Sequence, residues 1–209
     1  MRIFFDLDGV LIGGFHAKEA LRKRWDTEIE KDLGLDFDIF QQFFKTRFMD
    51  VLIGKADFTG EMTAFLREHG YTHDARTVID YWHDRDRDFI EPVMGAVKSL
   101  ARLPDIELYV ATNQTRERAD YLKNTAGLGA YFKDIYYSAR LGCFKTDPAY
   151  FAQIEDELGF DPAAEPPLFF DDRAGNIAVA AARGWNAVLV DGPESVTDNP
   201  VIRHLLAAQ

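Results

Sequence analysis

Two aspartates, Asp6 and Asp8, follow the apolar run 3–5 near the start of the chain. A buried strand has no structural use for ionised carboxylates, because they are costly to bury unless a partner or a cation compensates them. One such carboxylate can act as a nucleophile and the other as a general acid, while their oxygens bind a divalent cation. A turn at Gly9 would let the two side chains converge. The pair therefore predicts a site that holds a metal, a substrate or both.

Two further polar segments follow predicted strands or precede predicted helices. Thr112 and Asn113 come after the apolar run 108–111. The Thr112 hydroxyl and the Asn113 amide, together with the N–H groups at the start of the next helix, can bind phosphate oxygens. Taken alone, a Thr-Asn pair at a turn is more typical of a helix N-cap. Lys145 lies in a glycine-containing loop before a helix that Pro148 begins, and its charge could neutralise both a carboxylate and a phosphate.

A second acidic pair, Asp171 and Asp172, follows the apolar run 168–170. Magnesium would explain both acidic pairs, because it takes near-octahedral oxygen ligands from one or two carboxylates, water and phosphate. We expect Asp6, the backbone carbonyl of Asp8 and Asp172 to bind the ion, and Asp171 to orient a bound water.

Strand-like and helix-like segments alternate along most of the chain. Strands are predicted at 2–7, 107–111, 135–138, 168–170 and 187–190, and helices at 115–125, 148–158 and 174–183. This alternation predicts an α/β fold, a Rossmann-like three-layer αβα core with a parallel sheet. Ligands of such folds bind beyond the carboxyl ends of the strands, where the polar segments lie.

The long interval between the first two predicted strands contains no convincing strand. Its apolar residues recur at helical spacing within 20–25, 37–48, 62–66 and 78–82. We predict a helical cap at 15–89, inserted after the first strand of a catalytic core made of 1–14 and 90–209. Both of its connections leave the carboxyl edge of the sheet, so the cap would cover the site. The end of the chain, 199–209, is predicted to be a short packed helix.

Together these motifs resemble those of the haloacid dehalogenase (HAD)-like superfamily of hydrolases. The resemblance lies in Asp6-Leu7-Asp8-Gly9-Val10-Leu11, Thr112-Asn113, Lys145, and Asp171-Asp172 with Asn176 and Gly184. It covers the sheet domain, and the insert is placed like the helical caps of the superfamily's phosphatase branch. In one departure, Thr146 follows Lys145 where the family often has proline, and the proline comes later, at Pro148.

The resemblance implies a role for each motif residue. Asp6 would attack phosphorus and form an aspartyl-phosphate, and Asp8 would protonate the leaving group and then activate water. Thr112 and Asn113 would hold the phosphoryl group together with Lys145, which would also balance charge. The second acidic pair, Asp171 and Asp172, would complete the Mg²⁺ site with Asp6 and Asp8.

Several functions share this architecture. Similar proteins that hydrolyse carbon–halogen bonds lack the second acid of the first motif, so Asp8 favours a magnesium-dependent phosphatase over a haloacid dehalogenase. A sugar-phosphate mutase is the nearer alternative. In such an enzyme His16 could help to exclude water, although a lone histidine at this position is more typical of a surface or capping residue. A non-catalytic protein that binds a phosphorylated metabolite is a further alternative.

The substrate would be defined by the cap. A cap that covers the cleft favours a small phosphorylated metabolite, with sugar phosphates ahead of phosphoglycolate or nucleotides. Arg47 is the candidate substrate-binding residue there, because it interrupts an apolar helical stretch. Trp25, Trp82 and His83 are also cap residues that could touch a substrate, but buried packing is the simpler interpretation of the two tryptophans.

The composition excludes other classes of function. The net charge of -11 disfavours a broad nucleic-acid surface, which needs clustered Lys and Arg. The single cysteine, Cys143, fits a reducing compartment, and no apolar stretch approaches the roughly 20 residues that span a bilayer. With no signal-peptide pattern, we expect a cytoplasmic monomer or homodimer that binds neither nucleic acid nor membrane.

Overall fold

Five short strands form one parallel sheet in the computed structural model, which describes residues 1–207. In chain order the strands are β1 (Arg2–Phe5), β2 (Glu107–Thr112), β3 (Asp134–Tyr137), β4 (Leu168–Asp171) and β5 (Asn186–Leu189). Their order across the sheet is β3-β2-β1-β4-β5, so β1 lies in the centre between β2 and β4. The predicted Rossmann-like α/β fold is confirmed, and each predicted strand is present within two residues at either end.

Twelve α-helices and two 3-10 helices connect and cover the strands within residues 1–207. The α-helices are α1 (Ile29–Leu33), α2 (Phe37–Thr46), α3 (Phe48–Leu52), α4 (Phe58–Glu68), α5 (Ala75–Arg85), α6 (Glu91–Leu100), α7 (Arg116–Asn124), α8 (Ser138–Leu141), α9 (Pro148–Leu158), α10 (Ala174–Ala182), α11 (Glu194–Thr197) and α12 (Pro200–Ala207). The 3-10 helices span Glu19–Leu21 and Leu128–Ala130. In this part of the chain no helix is both long and apolar enough to cross a bilayer.

The sheet is buried on both faces because alternate side chains of a strand point in opposite directions. Ile3 and Phe5 of β1 join a core cluster with residues of α6, α7, α11 and α12, whereas Phe4 joins an aromatic cluster with residues of α9 and α10. Trp185 packs against Phe4 in that second cluster, with ring centroids 4.7 Å apart. These two layers hold β1 rigidly, which fixes the residues that follow it.

The predicted helices of the core are confirmed, and one prediction in the insert is wrong. Helix α9 begins at Pro148 after the N-cap Asp147, as its sequence indicates. A helix was expected in 20–25, but only the 3-10 turn Glu19–Leu21 forms there. The chain folds back at this point, and the Arg22 guanidinium donates to the carbonyl of His16. The predicted terminal helix is α12, and residues 208–209 lie outside the described part.

Helices α1 to α5 lie between β1 and β2 and pack around a hydrophobic cluster of their own. The two tryptophans are part of it: Trp25 packs against Trp82 with ring centroids 5.7 Å apart, and Phe44 packs against both. This matches the interpretation of Trp25 and Trp82 as packing residues. The boundaries 15–89 stay a prediction, and we call this segment the cap.

Two connections between the cap and the sheet run side by side. Gly13 N donates to the carbonyl of Asp88 at 3.1 Å, and Ile90 N donates to the carbonyl of Leu11 at 2.8 Å. At another point of the cap, Ser138 Oγ of the core donates to the carbonyl of Leu52 at 2.5 Å. The cap is therefore held against the carboxyl edge of the sheet at two separate places.

Candidate active site

Three neighbouring strands bring predicted site residues to the carboxyl edge of the sheet. Asp6 directly follows β1, Thr112 ends β2, and Asp171 ends β4. The backbone continues the sheet pairing to this point, since Asp6 N donates to the carbonyl of Phe170 at 2.8 Å. The site thus lies where ligands bind in open parallel sheets.

Lys145 connects the two acidic motifs. Its Nζ lies 2.6 Å from Asp6 Oδ1 and 2.7 Å from Asp171 Oδ2, and it also donates to the carbonyl of Ala111 at 3.1 Å. Burial alone would lower the pKa of Lys145, but Asp171 and Asp6 outweigh this effect and raise the pKa above its ordinary value. Lys145 is therefore a buried ammonium that binds both carboxylates.

The two carboxylate oxygens of Asp6 differ in their contacts. The hydrogen bonds described for its carboxylate both go to Oδ1, from Lys145 Nζ and from Leu7 N at 2.7 Å. Burial raises the pKa of Asp6 well above its usual value, and the Lys145 ammonium opposes that effect only in part. Oδ2 has no hydrogen bond among the described residues.

Both oxygens of Asp171 accept hydrogen bonds. Oδ1 accepts from Arg173 N at 2.8 Å, Oδ2 accepts from Lys145, and the Asn176 amide lies 3.1 Å and 3.0 Å from the two oxygens. Asn176 is itself buried at the start of α10. Asp171 is thus a fixed, fully paired carboxylate, which suits an orienting role better than the donation of a free oxygen.

Asp172 differs from its neighbour because one of its oxygens has no partner. Oδ2 accepts from Ala17 N at 2.6 Å, whereas the buried Oδ1 has no hydrogen-bond partner among residues 1–207. Gly9 lies directly against this carboxylate with φ of +82°, and a Cβ at that position would overlap it. The Gly9 turn is therefore required for Asp172 to approach the first motif.

The carboxylates of Asp6, Asp171 and Asp172 fit a divalent cation. One oxygen from each lies within 4.8 Å of the others, and all three side chains are buried. Lys145 is the one buried ammonium beside them in the described chain, and Arg173, half exposed, comes only to 4.0 Å from Asp172. Burial also raises the pKa of Asp172. Excess negative charge and a free buried oxygen are what a metal ion would satisfy. We call Asp6, Lys145, Asp171 and Asp172 the catalytic cluster, after the role that their motifs predict.

Asp8 lies apart from that cluster and is held by a residue that sequence reasoning missed. Gln114 Nε2 donates to Asp8 Oδ2 at 2.8 Å, and Phe15 N lies 3.5 Å from Oδ1. Gln114 is 4% exposed, and its Oε1 is buried without a partner among the described residues. Its position directly after Thr112-Asn113 was the only available signal.

Thr112 and Asn113 lie at the predicted edge of the sheet. Asn113 Oδ1 accepts a hydrogen bond from Lys145 N at 3.0 Å, so this amide fixes the loop that carries the lysine. The helix N-cap after β2 is Thr115, which accepts from Arg118 N. Phosphate binding by Thr112 and Asn113 stays a prediction.

His16 and Arg47 of the cap both have contacts within the protein. His16 is not a surface residue: it is 4% exposed, its Nδ1 accepts from Lys18 N, and it lies 3.5 Å from Asp172 Oδ2. The backbone returns to the core at this point, which buries the ring. Arg47 pairs with Glu61 at 3.0 Å and Glu68 at 2.6 Å within the cap, so those contacts account for it without a substrate. Its role in substrate binding stays a prediction.

A second group of buried side chains, two of them charged, joins the cap to the core, and we call it the junction cluster: Trp82, His83, Asp86 and Arg118. Arg118 of α7 donates to the carbonyls of His83, at 3.1 Å, and of Asp86, and its guanidinium lies 3.1 Å from Asp86 Oδ2. Trp82 Nε1 donates to the same carboxylate oxygen at 3.0 Å.

Ionisation in the junction cluster is strongly perturbed. Burial and the neighbouring Asp8 raise the pKa of Asp86 to about 6, although Arg118 opposes this. Burial, with the Arg118 charge, lowers the pKa of His83 to about 3. His83 is fully buried, so it is a neutral residue of the interface.

Comparison with known proteins agrees with this geometry. The family model for the haloacid dehalogenase-like hydrolases matches residues 1–184, whereas no curated protein matches the chain. Among solved structures, a HAD family enzyme from Bacteroides thetaiotaomicron, complexed with magnesium, is 19% identical, with a TM-score of 0.72 over 90% of this chain and 92% of that chain. A predicted HAD-like hydrolase from Porphyromonas gingivalis is 23% identical, with a TM-score of 0.70 over 100% of this chain and 98% of that one.

A third structure, the L-2-haloacid dehalogenase from Xanthobacter autotrophicus, is 20% identical, with a TM-score of 0.59 over 90% of this chain and 76% of that chain. At these identities the likeness concerns the fold. The family model spans most of the chain and all four motifs, from Asp6 to Asn176. The chain therefore belongs to the haloacid dehalogenase-like hydrolases.

Proposed function

We propose that this hydrolase is a magnesium-dependent phosphatase that acts on a small phosphorylated metabolite, with a sugar phosphate as the favoured class. The observation that carries the proposal is Asp8, a second carboxylate two residues after the nucleophile, held in place by Gln114 at 2.8 Å. An alkoxide leaving group needs a proton from such an acid, whereas a halide does not. Removal of a phosphoryl group therefore explains Asp8, and dehalogenation leaves it without a role.

The first step is attack by Asp6 on phosphorus. Lys145 and Leu7 N hold Oδ1, so Oδ2 forms the new bond while the bond from phosphorus to the ester oxygen breaks. Asp8 gives its proton to that oxygen, and the alcohol leaves. The product is an aspartyl-phosphate on Asp6 and an ionised Asp8.

The second step is hydrolysis of that intermediate. The Asp8 carboxylate accepts a proton from a water molecule as the water oxygen attacks phosphorus. The bond between phosphorus and Asp6 Oδ2 breaks, which restores the Asp6 carboxylate and releases inorganic phosphate. Asp8 thus regains the proton that it lost in the first step.

Residues around the transferred group hold it and balance its charge. Thr112, at the end of β2, and the adjacent Asn113 would donate to phosphate oxygens, and Lys145 supplies a fixed positive charge. Asp6, the Asp8 backbone carbonyl and the free Oδ1 of Asp172 would hold Mg²⁺, while Asp171 would orient a bound water. When bound, the ion supplies positive charge that neutralises phosphate and carboxylate oxygens.

A structural relative supports this choice of ion and ligand. The Bacteroides thetaiotaomicron HAD family enzyme has a structure that contains magnesium and inorganic phosphate, and it is 19% identical to this chain. The Xanthobacter autotrophicus dehalogenase represents the competing chemistry on the same fold. Asp8 is the residue that favours phosphate here.

The test measures phosphate release from an aryl phosphate in the presence of Mg²⁺, and halide release from 2-chloropropionate in parallel. We expect hydrolysis of the phosphate ester alone, its loss in EDTA, and its recovery when Mg²⁺ is restored. Asp6→Asn should abolish the activity, whereas Asp156→Asn, an exposed aspartate on α9, should not change it. Halide release without phosphate release would overturn the proposal, as would undiminished phosphatase activity of Asp6→Asn.

A further inference from the structure

Phe15 is the most exposed large apolar side chain among residues 1–207, with 60% of its surface accessible to solvent. It lies in the segment 13–24, which leads from the first motif to the cap helices, and it belongs to none of the hydrophobic core clusters. Its ring instead contacts two cations. The guanidinium carbon of Arg22 lies 4.2 Å from the ring centroid and that of Arg173 lies 5.3 Å from it, both within the range of a cation–π contact.

The two guanidiniums are fixed but have donors to spare. Arg22 Nε donates to the carbonyl of His16 at 2.8 Å, and Arg173 Nη2 donates to the carbonyl of Phe15 at 3.1 Å. Arg22 forms no ion pair with any described residue, and Arg173 comes only to 4.0 Å from Asp172 Oδ1. Because a guanidinium carries five N–H donors, most of those on these two arginines have no partner within the described chain.

This group of side chains borders the open part of the candidate active site. Asp6 is buried, whereas Asp8 is only half-buried, so solvent reaches the first motif at Asp8. The ester oxygen must come within about 3 Å of the Asp8 carboxylate to receive its proton. Phe15 N lies 3.5 Å from Oδ1 of the same carboxylate. A leaving group that extends from Asp8 towards solvent therefore begins beside the segment that carries Phe15 and Arg22.

The charge and shape of the two arginines select the kind of group that binds them. The chain has a net charge of -11, so two neighbouring cations with free donors are a local exception. A guanidinium presents paired N–H groups that match the oxygens of a carboxylate or a phosphate. A leaving group that ends in a hydroxyl or a methyl group would leave most of these donors unused.

We propose that Arg22 and Arg173 determine substrate specificity by binding a second anionic group on the leaving group, and that Phe15 holds the two guanidiniums in position. This rests on the proposed function, because Asp8 marks the position of the ester oxygen. The preferred substrates are sugar phosphates whose far end carries a carboxylate or a second phosphate. Phosphate esters of uncharged sugars are disfavoured.

Three six-carbon esters test the inference: sorbitol 6-phosphate, with an uncharged far end, gluconate 6-phosphate, with a carboxylate there, and sorbitol 1,6-bisphosphate, with a phosphate. We expect kcat/KM of the wild type to be about 10- to 100-fold higher for the better anionic ester than for sorbitol 6-phosphate, the range typical of hydrogen bonds to a charged group. The better of the two identifies the second anion. Added salt should reduce this preference, because the arginines are partly exposed.

Variants of the two arginines locate the preference. Arg22→Met and Arg173→Met retain the length of the side chain and remove its charge, and each should reduce the preference at least about fivefold. Arg22→Lys keeps the charge without the paired donors, so its preference should be intermediate. Arg24→Met is the matched control: Arg24 lies in the same segment and stacks on Phe37 at 4.3 Å, but it pairs with Asp26, and the preference should equal that of the wild type.

Phe15→Ala tests the positioning role of the ring. The contact between residue 15 and Asp8 is made by the backbone, so it is retained in this variant. KM for the better anionic ester should rise at least about threefold, while kcat and the KM for sorbitol 6-phosphate stay at wild-type values. A ring that only supported the fold would change the kinetic constants of all three esters in proportion.

The outcomes distinguish this inference from the proposed function. Equal kcat/KM for the three esters in the wild type, or an unchanged preference in both Arg22→Met and Arg173→Met, overturns the inference while the phosphatase activity itself remains. A wild-type protein that cleaves none of the three esters and no aryl phosphate overturns the proposed function, and the inference with it.

Discussion

The catalytic cluster and the junction cluster both bury charged side chains, but they leave different groups unpaired. In the catalytic cluster the carboxylates outnumber the one ammonium, and the fully buried atom without a partner among residues 1–207 is an acceptor, Asp172 Oδ1. In the junction cluster Arg118 matches Asp86, and the unpaired atoms within the described chain are nitrogens, Arg118 Nε and both ring nitrogens of His83. The first arrangement suits a site that takes up a cation, and the second suits an interface that must stay free of additional positive charge.

The largest effect should come from Lys145, which holds the catalytic cluster together. Lys145→Met removes the ammonium that lies 2.6 Å and 2.7 Å from two buried carboxylates. We expect a loss of at least about 100-fold in kcat and a fall of about 3–5 kcal/mol in the free energy of unfolding, measured with urea in EDTA.

Lys133→Met is the matched control, because Lys133 is exposed. Its kcat and its free energy of unfolding should equal those of the wild type. If Lys145→Met were as stable as the wild type in EDTA, the cluster would not depend on this charge, and the contrast between the two clusters would be lost.

Arg118 performs the corresponding role in the junction cluster, with a consequence mainly for stability. Arg118→Met leaves Asp86 buried without its cation and takes the donor from two backbone carbonyls. We expect the free energy of unfolding to fall by about 3 kcal/mol. Since Arg118 donates to no residue of the catalytic cluster in the described structure, kcat for an aryl phosphate should fall less than tenfold.

Arg116→Met, an exposed position on the same helix, should change neither quantity. A loss of activity in Arg118→Met as large as that in Lys145→Met would show that the two clusters act as one unit.

The smallest effect concerns pH and comes from His83. Its pKa is lowered to about 3, so between pH 3 and 6.5 the folded protein binds fewer protons than the unfolded chain, and stability falls as pH falls. Between pH 7 and pH 5, His83 should lower the free energy of unfolding by about 2 kcal/mol. In His83→Phe the ring can still pack against Tyr121, and the free energy of unfolding should fall less than in the wild type over the same pH interval.

His204→Phe, at an exposed histidine, should keep the wild-type pH dependence. If the free energy of unfolding of His83→Phe changed with pH as much as that of the wild type, the His83 ring would not be held neutral in the folded protein. Denaturant unfolding at pH 7 and pH 5 provides both measurements.

The sheet and the catalytic cluster could be predicted for the same reason. Each short apolar run is followed directly by its polar residues, as in Asp6 after β1 or Asp171 after β4. In a parallel sheet the carboxyl ends meet at one edge, so local order along the chain is enough to bring these residues together. The 3-10 turn at Glu19–Leu21 was not predictable in this way, because hydrogen bonds to the loop before it replace the expected helix.

The contacts that complete the site join residues that are distant in sequence and unremarkable in type. Gln114 reaches Asp8 across 106 positions, and Arg118 reaches His83 across 35. His16, expected as a surface or capping residue, is buried because the chain turns back against Asp172. No apolar periodicity marks such residues, since their burial depends on how the cap lies against the core.

The sequence by itself therefore determined the α/β fold, the four motifs and their meeting point, because three motifs directly follow a strand and Lys145 lies in the loop before a helix. Only the tertiary structure decided which oxygens of Asp6 and Asp172 lack a partner among the described residues, which residue holds Asp8, and that Asp86 lies near Asp8. Those features depend on the distances between atoms of separate elements, and such distances are established when the helices pack.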